Sequence, residues 1–415
     1  MKSNYKRLGN YIRMVDIRND LDLKDNLLGV SVTKEFIDSI ANTVGTDFRN
    51  YKIVNRNQFT YIPDTSRRGD KIGIALLEDR DEGLVSQAYT VFEVIKTEEL
   101  LPQYLMMWFR RPEFDRYARF ISHGSVREIF SWDDMCDVLL PVPAIEKQRE
   151  IVNEYNVILD RIELANKTID LLEKTAQSVY RQWFIEFEYP NVNGLPYKSN
   201  DGEMYLNKNS DNDIPKGWSV ISLGELCEVK GGKRLPAGEE LNDSKNGNVY
   251  IKVADMTESK FLLNNDKFQY VEKSIQEQIS RYTVDSGDII VSIVGTIGRV
   301  AIIHESLHNA NLTENCVRLT KIKKINAEYL YQFLSSPIGQ QIIEMQTVGG
   351  VQGKLPIYNI QAIPIVIPTE DVMGAYLDVN KRLNSLLINM QKQNALLSEL
   401  KNVLLSKLAT VEDDV

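Results

Sequence analysis

The chain has 415 residues, 43% apolar and 26% charged, with three cysteines and a net charge of −9. Those proportions fit a globular protein of two or three domains. They exclude a membrane-spanning chain, since no apolar run approaches ~20 residues, a disulfide framework, and a uniformly basic nucleic-acid coat.

The start, "MKSNYKRLGN", is basic but has no apolar core behind it, so no secretory signal is expected and a cytoplasmic location is. Residues 1–143 form a first globular module with net charge −2. In it "QAYTVFEVI" (Gln87 to Ile95) has strand composition, and Thr97 to Ile121 has helical composition broken near Pro112. Residues 144–189 follow as a long helical arm. Ile151, Tyr155, Ile158, Ile162, Ala165, Ile169, Leu172, Ala176, Val179 and Trp183 recur at spacings of four and three, the seam of a coiled coil. Residues 190–213 are rich in Asn, Asp, Gly, Pro and Ser and are expected to be a linker. A second module, 214–368, is neutral overall and repeats the order: a strand over Glu314 to Ile322, then a helix over Asn326 to Met345 broken near Pro337. Residues 369–410 form a second arm, with Tyr376, Val379, Leu383, Leu386, Met390, Leu397, Leu400 and Leu404 in its seam and Gln393 in one slot.

The two halves are a tandem repeat. "GSVREIFSWDDMCDVLLPVP" from Gly124 aligns without a gap to "GGVQGKLPIYNIQAIPIVIP" from Gly349. Further upstream, "RRGDKIGIALLE" (Arg67 to Glu78) parallels "DSGDIIVSIVGTIGRVAII" (Asp285 to Ile303). The expected fold is α+β: two similar domains joined by two long antiparallel coiled-coil helices, with pseudo-two-fold symmetry. Forty helical residues span about 60 Å. Two heads on such a strut suit two DNA sites about one 34 Å turn apart.

No motif for catalysis stands up. "GGVQGKL" has the wrong spacing for a phosphate loop and no Ser or Thr after Lys354. "GTIGRV" lacks the first glycine of a dinucleotide fingerprint. Glu228 and Lys230 resemble part of a nuclease core, but no partner Asp accompanies them. His304 and His308 are four apart without a Glu at metal spacing, so no metal site is expected. The Asn/Asp-Pro-Pro-aromatic tetrapeptide of base methylation is absent. What remains are polar clusters in glycine loops: Arg67, Arg68 and Lys71; Ser125 and Arg127; Lys233 and Arg234; Arg299; Gln352 and Lys354. Arg suits guanine edges, Gln adenine edges, Lys and Ser phosphates. The same residues also suit solvated turns.

Several stretches together resemble the specificity subunit of type I restriction–modification systems: "SRRGDKIGIA", "GSVREIFSW" running into "PVPAIEKQREIV", "RQWFIEF" leading to "YPN" and "PYKS", and "IPKGW". The resemblance covers nearly the whole chain. It implies a non-catalytic subunit with two target-recognition domains, each reading half of a bipartite double-stranded DNA site. It implies helical regions that set the spacer and dock two modification (methyltransferase) subunits, through seam positions such as Ile151, Ile158, Ile162, Ile169, Leu172, Leu383, Leu386, Met390, Leu397 and Leu400. No cofactor is expected in this chain; S-adenosylmethionine, and ATP with magnesium for a restriction subunit, belong to the partners. The second copy departs at "PTEDVMGAYLDV", which lacks the Glu-x-Gln of "AIEKQREIV". Two other classes remain open from the residues alone: a coiled-coil scaffold with two protein-binding heads, and a self-sufficient nuclease using Glu228 and Lys230.

Overall fold

In both halves a proline splits one helical stretch into two. Pro112 and Pro337 each occupy the first position of the second helix, where a missing N–H removes no intrahelical bond. The computed structural model describes residues 5–39, 45–65, 71–122, 128–207, 212–257, 259–350 and 353–411. The chain divides into two units: residues 1–163 with 396–415, and residues 164–395.

Unit 1 is built on four antiparallel strands, β1 (Ile12–Val15), β2 (Gln58–Tyr61), β3 (Ile74–Leu76) and β4 (Thr90–Val94), in the order β1-β4-β2-β3. Register sets Phe59 opposite both Phe92 and Leu76. The Phe59 and Phe92 rings stack at 4.8 Å. Helix α1 (Pro102–Phe109) buries every side chain but Gln103, in one core with the sheet and its partner α2 (Pro112–Ile121). A capping box at Ser131 and Asp134 starts α3 (Trp132–Asp137). The chain then pairs Leu139–Pro141 with Tyr5–Arg7 and enters α4 (Ile145–Tyr180). The start of α4 buries Val152 and Tyr155 in the same core as Leu405 and Leu408, and the Tyr5 hydroxyl donates to the Ala409 carbonyl at 2.9 Å. Burying each such leucine is worth roughly 1.5–3 kcal/mol.

Gln148 accounts for the Glu-x-Gln pattern. It is fully buried. Its amide oxygen accepts from the Leu101 N–H at 2.9 Å, and its amide nitrogen donates to the Glu99 and Pro143 carbonyls at 2.7 and 2.8 Å. One side chain thus ties the start of α1 to the start of the arm.

Unit 2 repeats this plan. Its strands are β5 (Glu228–Gly231), β6 (Phe261–Leu262), β7 (Ile289–Ser292), β8 (Val300–Ile303) and β9 (Cys316–Thr320), ordered β5-β9-β7-β8-β6. The first four match β1-β4-β2-β3 strand for strand. β6 is an added edge, parallel to β8. Helices α5 (Ala327–Ser335), α6 (Pro337–Gln346), α7 (Ile357–Gln361) and α8 (Glu370–Lys407) complete the unit's frame. Each starts 225 residues after its counterpart: Pro102 and Ala327, Pro112 and Pro337, Trp132 and Ile357, Ile145 and Glu370. At that offset Leu101 becomes Asn326, whose side chain caps α5 by accepting from the Tyr329 N–H at 2.8 Å. Gln148 becomes Met373, which is buried. A helix that caps itself does not need the glutamine.

The strand order corrects one parallel drawn from sequence. Arg67 to Glu78 leads into β3, whose counterpart is β8, so its partner is the "GTIGRVAII" part alone. Asp285 to Ser292 leads into β7 instead. Two neighbouring strands each entered from a glycine look alike at period two.

Two α+β domains are therefore joined by two long helices. Both helices serve both units, and they run antiparallel: the start of α4 packs with the end of α8 in unit 1, and Tyr180, Trp183 and Phe184 surround Tyr376 at 6.5, 5.9 and 4.8 Å in unit 2. The first arm keeps its expected stripe, with Tyr155, Ile158, Ala165, Ala176 and Trp183 buried and Ile151, Ile162, Ile169 and Leu172 partly so. The second arm departs from its leucine register. After Tyr376 the deeply buried positions are Asn380, Asn384 and Leu387, one residue later than Val379, Leu383 and Leu386. Val379, Leu386 and Leu400 are about half exposed, while Leu383, Met390 and Leu397 are partly buried. The cause is tertiary: α8 turns polar side chains toward β6, where Asn384 and Gln391 hydrogen-bond.

Among the described residues, the segment read as a linker makes ordered contacts. Tyr197, Tyr189 and Trp218 stack in sequence at 4.6 and 5.2 Å, and Met204–Asn207 pairs with Asn212–Pro215.

Candidate nucleic-acid interface

In unit 2, register fixes which loops share a sheet end. Gly231 lies opposite Val317 and Ser292 opposite Cys316, so the segments following β5 and β7 and preceding β9 emerge together. Gly232 packs so closely that a Cβ there would lie 2.0 Å from the Thr313 carbonyl oxygen. That contact requires glycine. Lys233 follows, exposed, its ammonium 5.8 Å from the centroid of the Tyr282 ring. Arg234 donates to the Glu314 carboxylate at 2.7 Å. Burial raises the Glu314 carboxyl, but the hydrogen bonds to it, led by Arg234, hold it below its ordinary value.

The loop after β7 turns at Gly295 and Gly298, both at positive φ (80° and 87°). It meets the glycine loop of the repeat through a bridge between Val294 and Lys354, while Lys354 also pairs with Val348. The Lys354 side chain is exposed. Arg299 is turned inward: its guanidinium donates to the Met256 carbonyl at 2.8 Å and shapes the loop from within.

Unit 1 makes the equivalent junction. Asp64 bridges Ile129, 225 residues before Lys354, and the Thr65 N–H donates to the Glu128 carbonyl at 3.0 Å. In each unit the residues flanking two loops chosen separately from the sequence are thus joined. Lys71 is exposed. Arg67, Arg68, Ser125, Arg127 and Gln352 lie outside the described residues. Beneath the junction, the buried Lys34 pairs with Asp115 at 2.8 Å, and Asp115 also accepts from the Ile72 N–H at 3.1 Å.

Sequence reasoning missed Glu314, whose role depends on an arginine 80 residues away. It also missed Phe120 and Met345, which stand at the same repeat position and are 82% and 72% exposed. Their signal was present: each lies four residues before the aligned glycine of its copy.

The nuclease candidates are spent elsewhere. The Glu228 carboxylate lies between Lys230 and Lys321 at 2.5 and 2.7 Å, and their hydrogen bonds pull it down to about 2. His304 accepts from the Ser306 N–H at 3.1 Å, and His308 faces Asp285 at 3.3 Å. Among the described residues, no group of three or more His, Cys, Asp or Glu is placed to hold a metal, and no helix is long and apolar enough to cross a membrane.

A family model described as the type I restriction modification DNA specificity domain matches residues 215–404. The MjaIX specificity subunit of Methanocaldococcus jannaschii is 26% identical over 76% of this chain and 70% of its own length. The EcoBI specificity subunit of Escherichia coli is 24% identical over 66% of this chain and 57% of its own. The HindI specificity subunit of Haemophilus influenzae is 19% identical over 98% of both chains. The S subunit structure from M. genitalium has the same fold, with a TM-score of 0.53 at 14% identity over 99% of this chain and 96% of that one. The second copy carries the pattern of this specificity domain, and relatives extend the match back through the first copy, so the chain is similar to type I restriction–modification specificity subunits over nearly its whole length.

Proposed function

We propose that this chain is the DNA-reading subunit of a cytoplasmic type I restriction–modification complex. Residues 1–143 and 214–368 are its two target-recognition domains, and residues 144–189 and 369–410 are the helical regions on which modification subunits dock. The observation that carries this reading is the repeated loop junction, Asp64 with Ile129 and Val294 with Lys354. A tandem repeat that keeps one loop junction twice offers two reading heads, and unlike loop sequences give them unlike half-sites. Lys71, Lys233, Arg234 and Lys354 supply charge at these ends; Arg67, Arg68, Ser125, Arg127 and Gln352 belong to the same loops by sequence. The chain itself is non-catalytic. S-adenosylmethionine, and ATP with magnesium, act in the partner subunits.

Docking has its own support. Leu164 and Leu171, one heptad apart on α4, are 64% and 63% exposed. In unit 1, Val157, Ile158, Leu400 and Leu404 line an open groove with Asn153 and Glu154. Regularly spaced exposed leucines on a packed helix mark an interaction face.

The test is an exchange of residues 1–143 for the first domain of a relative, followed by mapping of methylated adenines. One half of the motif should change while the other half and the spacer persist. A change in both halves together refutes the two-head reading. Binding to the bipartite duplex should also weaken steeply with salt, with a log–log slope of about −0.9 per phosphate neutralised.

A further inference from the structure

Lys260 is fully buried, immediately before the edge strand β6, which has no counterpart among the described residues of unit 1. Its ammonium donates to the Asn384 side-chain oxygen on α8 at 2.6 Å. Its backbone N–H donates to the Glu173 carboxylate on α4 at 2.8 Å. The ammonium lies 5.2 Å from the Phe261 ring centroid and 5.7 Å from that of Tyr331. The next carbonyl, of Phe261, accepts from Gln391 on α8 at 3.4 Å.

Within unit 2, one lysine therefore joins the sheet edge to both helices. This is an expensive way to hold a domain. Apolar side chains of similar volume would serve stability as well or better. The chain instead interrupts the apolar stripe of α8 with Asn384 and Gln391 to meet the edge strand. Polar contacts inside an apolar face select one geometry at a cost in stability. Burial lowers the ammonium's pKa to about 8, with Glu328 on α5 and Glu173 on α4 pulling the other way, so it is largely protonated at neutral pH.

We infer that Lys260 is a positioning residue: with Asn384 and Glu173 it fixes the second recognition domain at one angle on its helices, and so narrows the spacing accepted between half-sites. This rests on the DNA-reading function proposed above.

The experiment uses the complete complex with its modification subunits. Methylation is measured on duplexes carrying both half-sites at the preferred spacing and at one base pair more or less. The wild type should favour one spacing. Lys260→Met should bring a neighbouring spacing to within about tenfold of it, as expected for loss of a hydrogen bond to a charged group, with readout of the first half-site unchanged. Asn384→Asp keeps an acceptor for Lys260 and should hold wild-type spacing. The double variant Lys260→Met with Asn384→Leu should regain melting temperature but not spacing selectivity. Wild-type selectivity in the Lys260→Met complex or in the double variant overturns the inference, as does lost selectivity in Asn384→Asp. If the wild type itself is indifferent to spacing, the DNA-reading function fails instead.

Discussion

A complex made with Leu164→Glu and Leu171→Glu is expected to lose its modification subunits. Both side chains project from α4 with about two-thirds of their surface free, so neither contributes much to the fold of the isolated chain. Glutamate is also nearly as good a helix former as leucine. The melting temperature of the chain alone should therefore stay within a degree or two of wild type, since surface changes of this kind usually fall within ±0.5 kcal/mol. In an interface the same pair would forfeit roughly 1.5–3 kcal/mol of burial per leucine and place two carboxylates in an apolar contact. A total of about 4 kcal/mol corresponds to roughly a thousandfold weaker association. Co-purification and analytical ultracentrifugation read this directly. An intact complex would place docking on another face.

The second large effect concerns Gln148. Replacing it with Met, the residue at the same place in the second copy, leaves three backbone groups without their present partner: the carbonyl of buried Pro143, the N–H of half-buried Leu101 and the carbonyl of exposed Glu99. An unsatisfied buried group costs about 1–3 kcal/mol when nothing relaxes, and water can replace the partner of the exposed Glu99 carbonyl, so a loss of roughly 1–3 kcal/mol from unit 1 is expected. Hydrogen exchange at the starts of α1 and α4 should rise first. Adding Leu101→Asn should return about 1 kcal/mol, because it supplies the cap that Asn326 gives α5. A Gln148→Met variant with wild-type melting would show that the three-way clamp is dispensable.

The pairing of Gln148 with Leu101, and of Met373 with Asn326, shows what a single sequence can and cannot disclose. The Glu-x-Gln of the first arm was visible, and so was its absence from the second. Its burial ties it to α1, nearly fifty residues upstream. The legible features were those written locally. The proline breaks at 112 and 337, the strands ending near Val94 and Thr320, and the heptads of the first arm all depend on neighbours within a few residues. The repeat was legible because helices α1 to α4 and α5 to α8 keep one constant spacing.

The features that escaped depend on distant partners. Heptad reasoning treats a helix as if it packed only on another helix, so it put Leu386 in the seam. Lys260 and Phe261 draw Asn384 and Gln391 inward and rotate the face. The stretch from Tyr189 to Trp218 has the composition of a loose connection. Its aromatics, set far apart in sequence, stack into a folded appendage. In the loops, the meeting of Asp64 with Ile129 was beyond any local pattern, although each loop had been picked for its chemistry. Arg299 fitted the composition of a groove-reading residue and proved to be holding a carbonyl.

The shared core of unit 1 has a consequence for how the molecule is made. Leu405, Leu408 and Ala409 close around Tyr5, Val152 and Tyr155, so the earlier-made of the two units must wait, unsealed, until the end of α8 has been synthesised. Its half-finished apolar surface stays open throughout translation of the second half. A message truncated shortly before those leucines would yield a protein in which the later-made unit is complete and the earlier-made one is not.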